Sequence, residues 1–248
     1  MEIRTRYKIL DIIRGLTLIE MIIYHGIWDL VYVFGCDFLW FGQTGAYIWQ
    51  QSICWTFIFL AGFCWNMGKN KIKHGSIVFI GGMIITGVTI LFMPEEKIVF
   101  GVLTLLGSCM LLMVPLDKIF KKIKGEQGVI ISFLLFVVFR NVNKGELGFE
   151  QLNFFKLPKE WYKNYITAYL GFPGDGFSST DYFSIFPWMF LFLTGYFLYQ
   201  WMQQKAKLQL LHKIKLKLPF VEWMGKNSLL IYMVHQPLVY GILFFVTK

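Results

Sequence analysis

Apolar stretches long enough to cross a lipid bilayer recur along the whole chain. A spanning helix needs roughly 20 predominantly apolar residues, and of seven such stretches the fifth is the shortest. With 56% hydrophobic and 19% aromatic residues, the chain is more apolar than a soluble domain requires. The sequence therefore predicts an all-α polytopic membrane protein, multi-pass in the cell membrane, with about seven transmembrane helices. The stretches cover about residues 9–32, 48–67, 76–93, 98–116, 128–142, 183–202 and 227–247.

Lysine and arginine cluster in every second loop, which predicts the orientation of the chain. The positive-inside rule places such loops in the cytoplasm, so the N-terminus is expected inside and the C-terminus outside. The same distribution accounts for the formal net charge of +9, so no nucleic-acid partner is predicted. The four basic groups are Arg4 to Lys8, Lys69 to Lys73, Lys118 to Lys124 and Lys205 to Lys217.

A long polar segment precedes the sixth helix, and this orientation makes it a long extracytoplasmic loop. It runs from Asn141 to Asp181. Thr180 or Asp181 is the expected N-cap of the sixth helix, because short polar side chains accept hydrogen bonds from the first amides of a helix. No soluble domain or fixed-period repeat is found besides the helices, so residues 1–248 are predicted to form a single membrane-embedded domain.

The first apolar stretch carries five ionisable residues, each of which costs roughly 2.5–3.5 kcal/mol at a helix centre in lipid. At about 100° per residue, four of them fall within about 60° of one another. We call these four residues the polar stripe: Asp11, Arg14, His25 and Asp29. Glu20 points to the opposite face and has no assigned role beyond pairing with another helix. Ionisable residues inside a membrane usually face a protein interior and mark a functional path.

His25 and Asp29 are four residues apart, so their side chains can meet on one face of a helix. A carboxylate beside an imidazole supports its protonated form, as a general base requires. The alternative is a buried histidine that is hydrogen-bonded to aspartate for packing alone. No metal is predicted, because the four histidines do not converge with other ligands.

The last apolar stretch carries a second polar group, formed by Asn227, Ser228 and His235. Ser228 and His235 are seven residues apart and share a face of a helix. Pro237 follows closely and removes one backbone donor. A kink stabilised by polar packing explains this group somewhat better than a functional site does.

Five segments together resemble the bacterial branch of the heparan-alpha-glucosaminide N-acetyltransferase family. They are "RYKILDIIRGLTLIEMIIYHGIWDL", "SICWTFIFLAGFCWN", "FGVLTLLGSCMLL", "YLGFPGDGFSSTDYFSIFPWMFLFLTGYFL" and "GKNSLLIYMVHQPLVYG". The resemblance runs from the first helix to the last. It implies a membrane-embedded acyltransferase domain that takes acetyl from acetyl-CoA and places it on an amine or hydroxyl of an extracytoplasmic glycan.

One departure changes the expected catalytic residue. Eukaryotic members of the family are thought to use a histidine in the first extracytoplasmic loop, whereas here residues 33–47 contain none. Arg14 followed eleven residues later by His25 instead resembles the first helix of related membrane acyltransferases that O-acetylate bacterial surface polysaccharides. That branch implies that His25 is the base or a transient acetyl carrier, with Asp29 as its orienting partner.

The acetyl transfer that the resemblance implies also gives candidate roles to other residues of the chain. Arg14 is expected to bind the phosphates of the donor or to form an ion pair with Asp11. Asn227, Ser228 and His235 are candidates for donor binding or oxyanion contact. Substrate binding is expected from Trp161, Tyr165 and Asp181, although an interfacial aromatic belt explains the aromatic residues about as well.

Two rival functions fit the same features. A secondary transporter or flippase could use the polar stripe as a path for ions or protons; no inverted repeat is evident. A family member without activity could serve as a scaffold. The expected partners are acetyl-CoA, the glycan acceptor and the lipid bilayer, with a homo-oligomer as an open alternative.

Overall fold

The computed structural model describes residues 7–214 and 216–247. Arg4, Arg6 and Lys215, which belong to two of the predicted basic groups, lie outside the described residues. The chain is mostly helical, at 72%, and divides into two compact units. Unit one comprises Met1–Leu60 and Ala206–Lys248, and unit two comprises Ala61–Lys205.

Seven long helices in the described residues coincide with the seven predicted stretches to within several residues. They are α1 (Lys8–Tyr32), α2 (Thr44–Trp65), α3 (Lys71–Phe92), α4 (Val102–Phe120), α5 (Gly125–Phe139), α7 (Ile185–Gln204) and α10 (Ser228–Val246). The remaining helices are short: α6 (Tyr165–Leu170), α8 (Leu210–Lys213) and α9 (Pro219–Lys226).

Four stretches of the described chain are long and apolar enough to cross a membrane by length and composition. They are Lys71–Phe92, Val102–Phe120, Gly125–Lys144 and Ser228–Val246; the third extends α5 through the turn that follows it. The helices α1, α2 and α7 are as long, but α1 carries the polar stripe, and α2 and α7 are rich in Gln, Trp and Tyr. Length and composition therefore support four membrane-spanning segments in the described residues, of the seven that were predicted.

The prediction of purely helical structure needs one correction. The polar segment before α7 contains an antiparallel hairpin of β1 (Glu146–Phe149) and β2 (Leu152–Lys156). Gly148, with φ of +154°, lies at an irregularity in the pairing, and Glu150 in the turn has φ of +53°. The polar segment therefore contains regular secondary structure of its own.

In unit one, α1 packs against α9 and α10 around an apolar core formed by Leu18, Met21, Ile53 and Met224. Two glycines set the spacing of α1 and α9. A Cβ on Gly15 would collide with the carbonyl oxygen of Val221, and one on Gly225 would collide with that of Asp11. Helices in membranes commonly approach through such small residues, because van der Waals packing replaces the hydrophobic effect there.

In unit two, α3 packs against α4 and α5 packs against α7. The predicted N-cap of α7 is wrong: Ser184 occupies that position, without a side-chain capping bond. Asp181 instead lies at the start of α4, where its Oδ2 accepts a hydrogen bond of 3.5 Å from the amide of Val102. The carboxyl oxygen thereby satisfies one of the amides that a helix leaves without a partner in its first turn.

Candidate functional site

The polar stripe of α1 faces the interior of unit one, and its two halves meet different helices. At the N-terminal half, Arg14 Nη1 lies 3.2 Å from Asp11 Oδ1 and donates to the carbonyl oxygen of Gly225 in α9 at 3.3 Å. Asp11 is only 5% exposed. The ion pair between Asp11 and Arg14, which was expected as the alternative to phosphate binding by Arg14, is therefore present.

The C-terminal half of the stripe meets α10. Asp29 is 1% exposed, and its Oδ1 accepts a hydrogen bond of 2.8 Å from Gln236 Nε2. Its Oδ2 is buried without a hydrogen-bond partner in the described residues. The hydrogen bond described for the Asp29 carboxylate thus comes from Gln236 and not from His25, and the role of Asp29 as the orienting partner of His25 stays a prediction.

His25 lies instead beside a second histidine. The ring centroids of His25 and His235 are 5.0 Å apart, with the planes inclined at 58°. His235 is buried, and its Nδ1 lies 2.6 Å from the carbonyl oxygen of Tyr232. Because a carbonyl can only accept, Nδ1 carries the hydrogen in this contact and the neutral ring presents an unprotonated Nε2.

Three polar atoms of this cluster are buried and lack a hydrogen-bond partner in the described part of the chain: Asp29 Oδ2, His235 Nε2 and Gln236 Oε1. An unpartnered buried polar group costs about 1–3 kcal/mol, so each of these atoms calls for a partner such as a bound water or ligand, or for a chemical role. The α1–α10 cluster, defined as His25, Asp29, His235 and Gln236, can accept protons and hydrogen bonds from a bound molecule.

Asn227 and Ser228 do not belong to this cluster. Asn227 lies at the junction of α9 and α10 and donates from Nδ2 to the carbonyl oxygen of Trp223 at 2.9 Å. Ser228 is the first residue of α10, about 10 Å along the helix axis from His235. Of the group predicted in the last helix, the structure thus brings only His235 to the polar stripe.

The three predicted substrate-binding residues all belong to unit two. Trp161 and Tyr165 are 50% and 56% exposed, and they pack edge-on against Phe172 and Phe177. Burial raises the pKa of the Asp181 carboxyl to about 6. An exposed aromatic surface and a readily protonated carboxyl are features that a glycan site would use.

Gln236 is the residue of the cluster to which the sequence analysis assigned no role. It is the only amide side chain in α10, and a buried acid on one helix needs a donor on another. The need of a buried acid for a donor could therefore have pointed to Gln236 from the sequence. It would not have shown which helix faces α1.

The described residues contain no group of three or more His, Cys, Asp or Glu side chains arranged to hold a metal ion. No curated protein and no solved structure gives a significant match to the chain. A family model described as heparan-alpha-glucosaminide N-acetyltransferase, catalytic, matches residues 6–237. That match covers nearly the whole chain and includes all four residues of the α1–α10 cluster, so the protein belongs to the heparan-alpha-glucosaminide N-acetyltransferase catalytic family.

Proposed function

We propose that this protein transfers acetyl from acetyl-CoA to an amine or hydroxyl of an extracytoplasmic glycan. It would cross the cell membrane about seven times, with the N-terminus and the basic loops in the cytoplasm, as the positive-inside rule predicts. The observation that carries the proposal is the α1–α10 cluster, in which buried acceptor atoms on two packed helices remain without partners. Membership of an acetyltransferase family supports the reaction class.

The reaction needs a group that removes a proton from the acceptor as it attacks the thioester carbonyl. We assign this role to His25, which has no hydrogen bond in the described residues and stands next to the buried ring of His235. Once His25 is protonated, the unprotonated Nε2 of His235 can accept a hydrogen bond from it. Asp29 adds negative charge near the resulting imidazolium, which stabilises it.

The electron and proton balance is simple. A bond forms between the acceptor nitrogen or oxygen and the acetyl carbon, the carbon–sulfur bond breaks, and the thiolate of coenzyme A receives the proton held by His25. In the alternative course, His25 carries the acetyl group itself between donor and acceptor. Trp161, Tyr165 and Asp181 are proposed to contact the glycan.

The test uses right-side-out membrane vesicles loaded with acetyl-CoA that is radiolabelled in the acetyl group. Label should accumulate on glycan at the outer surface. Because a positioned base typically contributes 10²–10⁴-fold, His25→Ala should lower the transfer rate by about that factor. The control is His74→Ala, which alters an exposed histidine in unit two.

A well-folded His25→Ala protein that transfers label at the unmodified rate would overturn the catalytic assignment. Ion or proton flux through the vesicles without acetyl transfer would favour the transporter instead. Label that accumulates on the protein before it reaches the glycan would select the acetyl-histidine course.

A further inference from the structure

A second polar site lies at one end of unit two, where α3 and α5 begin and α4 and α7 finish. A cavity of about 230 Å³ there is lined by Asn66, Lys121, Gln200, Gln203 and Gln204. Another, of about 580 Å³, is lined by Lys69, Asn70, Lys71, Ile72, Lys73 and Val114. Lys121 from the first cavity and Lys71 from the second both interact electrostatically with the carboxylate of Asp117, so a lysine of each cavity lies near the same acidic residue.

A directional chain of hydrogen bonds ends in the smaller cavity. Lys121 Nζ lies 2.5 Å from Asp117 Oδ2, and Tyr196 donates its hydroxyl hydrogen to Asp117 Oδ1 at 2.7 Å. With that hydrogen committed, the Tyr196 oxygen can only accept, so Gln200 must present its amino group, at 2.6 Å. The network thereby fixes the orientation of the amide.

The Gln200 carbonyl oxygen is consequently the free end of this chain. Gln200 is 7% exposed, and its Oε1 has no hydrogen-bond partner among the described residues. A buried acceptor of this kind needs a donor. Gln200 lines the smaller cavity, so a molecule bound there can supply that donor.

The charges nearby indicate the rest of such a molecule. Four lysines line the two cavities, and neither lining contains an acidic residue; Asp117 forms an ion pair with Lys121. Lys69 and Lys73 are exposed, whereas Lys71 lies over the Trp65 ring, 3.3 Å from its centroid. Ammonium groups of this kind bind phosphates as point charges. The larger cavity, at about 580 Å³, lies within the roughly 300–1,000 Å³ of typical ligand sites.

We propose that these cavities bind the adenosine bisphosphate end of the acyl donor. The exocyclic amine of the base would donate to Gln200 Oε1, and the phosphates would lie against Lys69, Lys71, Lys73 and Lys121. This inference rests on the proposed function, because it names the site at which that donor is held. The pantetheine arm carries no phosphate and therefore does not account for the lysines.

The test measures binding to purified protein in nanodiscs of neutral lipid, with three probes: adenosine 3′,5′-bisphosphate, coenzyme A and pantetheine. The bisphosphate should bind and compete with coenzyme A, and pantetheine should not compete. Gln200→Leu should weaken bisphosphate binding by about 3- to 10-fold, the range for one hydrogen bond. Lys69→Met with Lys73→Met should weaken it and reduce its salt dependence.

The matched control variants replace the same types of side chain, a glutamine or two lysines, at other positions of unit two. Gln127→Leu changes an exposed glutamine, and Lys118→Met with Lys122→Met removes two exposed cations; none of these residues lines either cavity. Both controls should bind the bisphosphate within about twofold of the unmodified protein. Unfolding temperatures measured without ligand identify any variant that fails to fold.

Three results would overturn the inference. If coenzyme A binds and the cavity variants behave like the controls, the nucleotide lies elsewhere while the proposed function stands. If pantetheine competes and the bisphosphate does not, the site holds the other end of the donor. If phosphatidylglycerol in the nanodiscs abolishes bisphosphate binding, the lysines serve lipid headgroups. Failure of the unmodified protein to bind coenzyme A counts against the proposed donor as well.

Discussion

The hydrogen bond between Asp29 and Gln236 should contribute measurably to the packing of α1 on α10. Gln236→Leu keeps similar bulk but removes the only hydrogen bond described for a carboxylate that is 1% exposed. Hydrogen bonds to charged groups contribute about 1.5–3 kcal/mol in soluble proteins. Double-mutant cycles inside a membrane protein average only about 0.6 kcal/mol, with a maximum near 1.7. Full burial and an unpartnered Oδ2 place this pair at the upper end of the membrane range.

We therefore expect a coupling energy of about 1–1.7 kcal/mol between Asp29→Leu and Gln236→Leu. The assay is unfolding of the detergent-purified protein by sodium dodecyl sulfate, followed by tryptophan fluorescence, for both single variants and the double variant. Gln43→Leu, at an exposed position of the same unit, controls for adding a leucine. The reasoning would be refuted if the destabilisation of the double variant equals the sum of the two single-variant values to within about 0.3–0.5 kcal/mol. Independent sites behave in that way.

Two further predictions concern the packing of α1 on α9 and the start of α4. Gly225→Ala should destabilise the protein by about 1–3 kcal/mol through overpacking against the Asp11 backbone, whereas Gly45→Ala, with open space around it, should not; equal unfolding curves for the two variants would contradict this. Because burial raises the pKa of the Asp181 carboxyl from 3.8 to about 6, the folded protein binds more protons than the unfolded chain between these values. The contribution of Asp181 to stability should thus be complete below about pH 4 and decline as the pH rises through 6. Asp181→Asn should remove that decline in thermal unfolding measured from pH 4 to 7, and an unchanged slope would count against it.

The positions of the long helices were predictable because an apolar stretch of spanning length can hardly adopt another structure in lipid. The hairpin was not, since its turn around Glu150 contains none of the Asn-Gly or Asp-Gly pairs that mark such turns. Its strands are also only four and five residues long, too short for alternation to be recognised.

The candidate site was predictable on one helix and not across helices. The period of 3.6 residues places Asp29 and Arg14 on one face of α1, and the structure has both facing the interior of unit one. Whether Gln236 of α10 approaches Asp29 depends on how α10 is rotated, which no local pattern encodes. Asp181 shows the same limit, because the amide that it caps lies 79 residues away in the chain.

The split of the polar stripe between two partners also determines how accurately α1 is positioned. Arg14 is anchored to the backbone of α9 and Asp29 to a side chain of α10, at points fifteen residues apart, or about 22 Å along the axis. A single anchor would let the helix pivot or turn, whereas two distant ones fix its rotation and its register together. A shift of one residue would turn the helix by about 100° and break both contacts at once. The placement of His25 beside His235 therefore depends on one contact about one turn away along α1, at Asp29, and on another about three turns away, at Arg14.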